Sequence, residues 1–265
     1  MLSIFDYFGY NLPYSECCRL IANAGFDSVM LWYGDDFGEE LREKNHPALA
    51  RNCGLAIENV HAPFDINYIW DDENSEEARE TLANYLRCID DCAQYEIPTI
   101  VMHADFGVYA PPVCELGFER WAQLIARAEQ RGVNLAVENM RNARQIDRVT
   151  QLLERFDSPR FGYCFDSGHW HARLKELDWL TRWPERLMAL HLHDNHGAVK
   201  KSGVDDQHLL PFDGTIDWPS MMRQIVSTGY KGSTALEVTV DDETQTPEVY
   251  LAQAHERAKR LEELR

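Results

Sequence analysis

No stretch of this chain approaches the roughly 18 consecutive apolar residues that a membrane-spanning helix needs, so a helical span is excluded. The opening Met1-Leu-Ser-Ile-Phe-Asp6 has neither a basic leader nor an apolar core of the secretory kind, and a cytoplasmic protein is expected. Paired cysteine motifs are missing as well. The seven cysteines are odd in number and include no CxxC, which argues against a disulfide scaffold or a zinc ribbon. Cys17 with Cys18 and Cys88 with Cys92 fall in helical stretches, where thiols serve as small apolar residues in a reducing compartment. Positive charge is scarce, with 26 Lys and Arg against 44 Asp and Glu and a net charge of −18. That balance argues against a broad phosphate-binding face and hence against a nucleic-acid partner. It leaves one local exception: divalent metals ringed by Glu138, Asp166, Asp206 and Glu237 would make a positive pocket inside an acidic surface.

What is present is a repeated rhythm of short β-like runs and amphipathic helical stretches. The runs are Leu2 to Tyr7, Asp27 to Tyr33, Leu55 to His61, Thr99 to His103, Val133 to Glu138, Phe161 to Asp166, Leu187 to His193 and Thr234 to Val240. Between them, helices are predicted from Tyr14 to Ala24, up to Cys53, from Ser75 to about Tyr95, from Cys114 to Arg131, and from Gln145 to Arg155. Two more follow, from Trp218 to Thr228 and from Pro247 to Leu264. Gly25, Gly132 and Gly229 stand as helix stops, and Ser75 followed by two glutamates is a helix start. Eight βα units in 265 residues without a low-complexity linker predict one α/β domain over 1–265, a closed (β/α)8 TIM barrel.

In such a barrel the strand ends converge on one face. Here they carry His61, His103, Glu138, Asp166, His191 and Glu237, from the third strand to the eighth. A histidine closing one strand is by itself more often a hydrogen-bonded residue than a ligand, but six metal-type side chains in phase are not explained that way. After the sixth run, Asp166-Ser-Gly-His169 reads as a loop delivering a second His, and a polar loop adds Asp206-Gln-His208. Carboxylates and imidazoles together suit Zn²⁺ or Mn²⁺. His193, Asp194, His196 and Asp213 read as supporting or loop-shaping groups, and His46, His171 and His255 as ordinary. Trp32, Phe64, Phe8, Phe106 and Trp170 follow strand ends, where they either wall a pocket or pack beneath loops.

The runs Val60-His-Ala-Pro-Phe64, Val137-Glu-Asn139, Phe165-Asp-Ser-Gly-His169, Leu190-His-Leu-His-Asp194, Asp206-Gln-His208, Leu210-Pro-Phe-Asp-Gly-Thr-Ile-Asp-Trp218 and Leu236-Glu-Val238 resemble those of the xylose isomerase-like TIM barrels. That superfamily joins sugar and sugar-phosphate isomerases and epimerases to abasic-site nucleases of the endonuclease IV type. The isomerase pattern implies one divalent metal (Mn, Zn or Co) on Glu138, Asp166, His191 and Glu237. It makes Glu138 and Glu237 the acid–base pair around an enediolate, with His169 on a substrate oxygen. The nuclease pattern implies three zinc ions on nine ligands, adding His61, His103, His169, Asp206 and His208 to those four.

Two departures bear on the choice. Where ketose 3-epimerases place a second Glu six residues after the metal Glu, this chain has Arg144. Arg144 with Arg141, or Lys200 with Lys201, would suit a phosphate or carboxylate on the substrate. Against the nuclease stands the lack of basic, Gly-rich loops for a DNA backbone. The expected protein is therefore a metal-dependent sugar or sugar-phosphate isomerase or epimerase holding one to three ions, with His61, Phe64 and Trp32 beside the substrate. The alternatives are a tri-zinc abasic-site phosphodiesterase and a metal-dependent polyol or glycoside lyase. Family members commonly form homo-oligomers, though no stretch marks an interface.

Overall fold

A computed structural model describes the chain except for residues 36–38, 44–45, 65, 72–73, 107–110, 174–176, 198–205 and 241–244. Eight parallel strands lie in chain order: β1 (Leu2–Phe5), β2 (Ser28–Trp32), β3 (Ala56–His61), β4 (Thr99–Met102), β5 (Asn134–Glu138), β6 (Phe161–Asp166), β7 (Leu187–His191) and β8 (Thr234–Leu236). Each pairs with its predecessor from β1 to β7, and β8 pairs with β1. The ring closes between β7 and β8, where Leu192 N–H donates to Ala235 O at 2.9 Å and Glu237 N–H to Leu192 O at 3.2 Å. This is a single-domain TIM barrel.

The helices around it are α1 (Tyr14–Ala24), α2 (Glu39–Glu43), α3 (Pro47–Asn52), α4 (Glu76–Gln94), α5 (Glu115–Arg131), α6 (Ala143–Arg155), α7 (Ser167–Arg173), α8 (Trp179–Arg182), α9 (Trp218–Ser227) and α10 (Pro247–Glu262). Their ends follow local chemistry. Ser75 Oγ accepts from Ala78 N–H at 3.0 Å to start α4. Gly25, at φ 101°, ends α1 in the left-handed region that a side chain would strain. Among the described residues no helix is long and apolar enough to cross a membrane.

The side-chain period of two along a strand positions the site. Outward residues such as Leu135, Val137, Tyr163 and Phe165 join the large core between sheet and helices. Inward residues on β4 to β7 are small: Val101, Ala136, Cys164 and Ala189 form a separate cluster. Two residues further along the same inner face come His103, Glu138, Asp166 and His191. Small residues below therefore leave room for the polar side chains above.

Several boundaries differ from the sequence expectation. The first, seventh and last runs leave the sheet early, at Phe5, His191 and Leu236, and the segments beyond bond to one another instead, Val240 N–H donating to Phe8 O and Thr239 N–H to His208 O. The helical stretch before Cys53 is two helices, with Pro47 starting the second. The sixth helix begins at Ala143, capped by Asn142, rather than at Gln145. Most relevant to function, Asp166-Ser-Gly-His169 is not a loop. Ser167 begins α7, and Asp166 Oδ1 accepts the His169 N–H at 2.6 Å. A carboxylate ending a strand serves here as the cap of the next helix and still faces the barrel mouth.

Candidate active site

Glu138, at the end of β5, is the centre of the cluster and only 2% exposed. Its Oε2 lies 3.4 Å from His61 Nε2, 3.6 Å from His103 Nε2 and 3.2 Å from His191 Nδ1, while Oε1 lies 3.1 Å from His169 Nδ1. His191 Nδ1 also stands 2.8 Å from Glu237 Oε2. Side chains from β3, β4, β5, β7 and the residue after β8 thus meet within one imidazole's reach, as their phase along the chain predicts.

The residues fit a divalent cation. One donor atom each from Glu138, Asp166, His191 and Glu237 lies within 4.8 Å of the others. Ligands about 2.0–2.2 Å from a shared ion are separated by up to about 4.4 Å, so the spread is close to that of a ligand shell. Orientation supplies a second reason. Glu138 Oε2, Glu237 Oε2 and His191 Nδ1 are buried and converge on one another, with contacts that lack the angles of a hydrogen bond. Buried polar atoms seldom lack partners, and a convergent unpaired set is what a cation would satisfy.

Several imidazoles are held for this purpose. His61, His169 and His208 each place Nδ1 against a backbone carbonyl, of Ala62 at 2.7 Å, Asn139 at 2.9 Å and Glu237 at 2.8 Å. A carbonyl only accepts, so in the neutral ring Nδ1 carries the proton and Nε2 is the free lone pair. Beside the central group, His169 Nε2 meets Asp206 Oδ2 at 3.3 Å, and His208 Nε2 meets Asp206 Oδ1 at 3.4 Å. His193, fully buried, reaches both oxygens of Asp166 at 3.1 Å and stacks on His208 with ring centres 4.0 Å apart. Gly168 makes that placement feasible, since a Cβ there would run into the His193 ring. His61–His103–Glu138 and His193–Asp206–His208 are further groups with metal-ligand spacing.

Without a cation, imidazolium must balance the carboxylates. Burial would raise the Glu138 carboxyl, but His191, His103 and His169 hold it well below the usual range. Burial would lower His191, but Cys164, Glu237 and Glu138 hold it well above its ordinary value. For His208 burial again opposes the charge, and Asp206 with Glu237 raises it to about 9. An imidazole raised in this way stabilises the fold fully below its unfolded value, near 6.5, and loses that contribution as pH rises through about 9. The melting temperature of chelator-treated protein is therefore expected to fall between pH 6.5 and 9. Added Zn²⁺ or Mn²⁺ should reduce the part of the decline that comes from His191, because a ligating imidazole is bound neutral. A flat profile without metal would contradict this charge balance.

The other predicted residues are placed as follows. Trp32 and Phe64 pack together, ring centres 4.9 Å apart, beside a cavity of about 430 Å³ that also touches His61 and Glu237. Phe106 stacks on Phe64 at 5.0 Å, whereas Phe8 is buried in the core against Tyr10 and Tyr250. Trp170 packs near Phe165. Arg144 stands exposed in the first turn of α6, away from the cavity lining. Arg141 is the arginine at the cluster, its Nη1 3.3 Å from Asp206 Oδ2. Lys200 and Lys201 lie outside the described residues.

Two contributors escaped the sequence reading. Asn139 clamps the ends of β5 and β6, donating from Nδ2 to Asp166 O at 2.9 Å and accepting Asp166 N–H at 2.7 Å. Its signal was the Glu138-Asn139 pair at a strand end. Cys164 lies under Glu138 and His191, with a donor atom of each within 4.8 Å of the thiol; its place two residues before Asp166 was the clue.

Comparison with known proteins agrees with this architecture. The chain is 29% identical over 282 aligned positions to an uncharacterized protein, y4fM, of Sinorhizobium fredii, covering 92% of this chain and 87% of that one. It is 25% identical to fructoselysine 3-epimerase of Shigella flexneri over 94% of each chain. In structure it is similar to the zinc-bound IolI protein, with a TM-score of 0.76 at 16% identity over 98% of each chain. The family described as xylose isomerase-like TIM barrel matches residues 18–261, nearly the whole barrel. The chain belongs to the xylose isomerase-like TIM barrel family.

Proposed function

We propose that this protein is a divalent-metal-dependent isomerase or epimerase of sugars, with Glu138 and Glu237 as its acid–base pair. The observation that carries the reading is the meeting of these two carboxylates at one nitrogen of His191, 3.2 and 2.8 Å away, in a buried cluster that reaches a cavity through Glu237 and His61. The likeness to fructoselysine 3-epimerase, and in fold to D-psicose 3-epimerase, supports the same reaction class.

Glu138, Asp166, His191 and Glu237 would hold the metal. When bound, a divalent ion supplies Lewis-acid polarisation of a sugar carbonyl and its neighbouring hydroxyl, which makes the adjacent C–H acidic. Both glutamates are held in the ionised form a base needs, Glu237 by His191 and His208 against the effect of burial. In an epimerisation one carboxylate removes the proton from one face of the carbon, and the other, having first taken up one proton from solvent, delivers it to the opposite face, so that the two end with their protonation states exchanged. His169, with Nδ1–H on Asn139 O and its charge favoured by Asp166 and Asp206 against the effect of burial, would donate from Nε2 to a substrate oxygen in place of Asp206. The near-complete burial of Glu138 and Asp166 keeps bulk water from the reacting carbon.

The test is carbon–hydrogen exchange. Incubating the metal-loaded protein with a panel of ketoses and ketose phosphates in D₂O should place deuterium on the carbon next to the carbonyl of a substrate, read by NMR. A panel without exchange, on protein with bound metal, would remove the reading. The two additional ligand-like groups favour one second reading, a multinuclear phosphodiesterase. Close to three zinc ions per chain together with cleavage of abasic-site DNA would select it, and about one ion per chain the first.

A further inference from the structure

The cavity beside Glu237 and His61 extends past the ring of strand ends to Leu12 and Cys17, at the start of α1. A sugar held at Glu138 and Glu237 occupies the inner end and leaves the outer part to whatever the sugar carries. We propose that this outer recess is a second subsite for a non-anionic organic substituent, so that the substrate is a carbonyl-bearing sugar that carries such a substituent through a glycosidic or amine link, and not a sugar phosphate. The proposal rests on the reading that the sugar lies at the two glutamates, and it names the class of sugar.

The walls carry the argument. Tyr10, Tyr14, Trp32 and Phe64 present aromatic surface, which stacks on apolar or planar groups. Trp32 and Phe64 brace one another, and Tyr10 Oη donates to Gln245 O at 2.8 Å, so these walls are held before a ligand arrives. Among the described residues the lining includes no Lys or Arg, while it includes two carboxylates, Asp6 and Glu237. Asp6 is only 6% exposed and is fixed at the end of β1, where its Oδ2 accepts the Trp32 N–H at 3.1 Å. A phosphate pushed into this recess would meet the buried Asp6 carboxylate in a weakly screened site, with no Lys or Arg among the described lining residues to receive it. An amine, a hydroxyl or a ring meets no such penalty. Burial and the Asp6 carboxylate push the Tyr14 hydroxyl up, so this wall of the recess stays neutral.

Calorimetric titration of the protein as purified tests this with defined probes: phenyl β-D-glucopyranoside, methyl β-D-glucopyranoside, fructose and fructose 6-phosphate. The phenyl glycoside is expected to bind at least about tenfold more tightly than the methyl glycoside, and fructose 6-phosphate no more tightly than fructose. Leu12→Trp, which fills the outer recess, should close most of the phenyl-over-methyl gap. Equal affinity for the two glycosides, or tenfold tighter binding of the phosphate than of fructose, overturns the proposal. The wild-type comparison decides this even if the variant does not fold. Binding is read without turnover: the glycoside preference without C–H exchange would retain the recess and remove the epimerase reading, and exchange without the preference would do the reverse.

Discussion

Glu138→Gln and Glu237→Gln are each expected to lower turnover by about 10³-fold or more, since on the proposed mechanism each removes a proton-transfer group, a step worth about 10²–10⁴ alone, and a proposed metal ligand as well. The eight-stranded ladder does not depend on either carboxylate, so far-UV circular dichroism should be unchanged. The two variants should differ in another respect. Glu138 faces four imidazoles, from His61, His103, His169 and His191, whereas the Glu237 carboxylate has one close contact, to His191 at 2.8 Å. Removing the central counter-charge from a buried set costs about 3–5 kcal/mol, so metal-free Glu138→Gln should melt well below metal-free Glu237→Gln. Metal content, melting temperature and kcat measured on the same preparations separate these effects. Full activity in either variant would remove the proposed acid–base pair.

Asp194→Ala is the second large effect, and it acts on the fold. Asp194 is completely buried, and its two oxygens accept four hydrogen bonds: from the backbone N–H groups of Asn195 (2.9 Å), Phe212 (3.0 Å) and Ile216 (3.1 Å), and from Trp218 Nε1 (2.7 Å). This one carboxylate organises the turn entering α9, and its backbone pairs with Leu209, the residue after His208. Truncation leaves four donors without a partner, at a cost of about 3–5 kcal/mol, or roughly 6–15 °C in melting temperature for a domain of this size. Asp194→Asn should recover little, because its amide NH₂ would face N–H donors. Thermal melts of the three proteins check this, and a loss below about 1 kcal/mol would show that the turn does not depend on Asp194.

Much of this was legible in the sequence because a barrel converts chain order into geometry. Once eight apolar runs were counted, the residues closing runs three to eight had to share a face, and His61, His103, Glu138, Asp166, His191 and Glu237 do. Residues outside that regular phase were harder to read. The period of a strand does not say where it leaves the sheet, so the first, seventh and last runs were drawn too long by the residues that form the rim. Asp166 was legible as a strand end entering a loop, and only the fold shows that it also caps α7. Asp6 went unnoticed because its importance lies in the cavity wall it joins, which draws on β1, β2, β3 and the residue after β8. Arg144 was singled out by analogy of spacing, and one helical turn of phase at the start of α6 carries it to the surface.

The seam of the barrel gives the cluster a mechanical meaning. β7 and β8 are joined by a short bridge at Leu192 and Leu236, the thinnest join in the ring, and β8 is itself only 3 residues long. His191 ends the strand on one side of that seam, and Glu237 follows the strand on the other. A cation gripped by both, as proposed, would be a rivet across the place where the ring would first open. Loosening of the seam and departure of the ion would then be one thermodynamic event, and a gain in metal affinity would be felt as rigidity in the last strand.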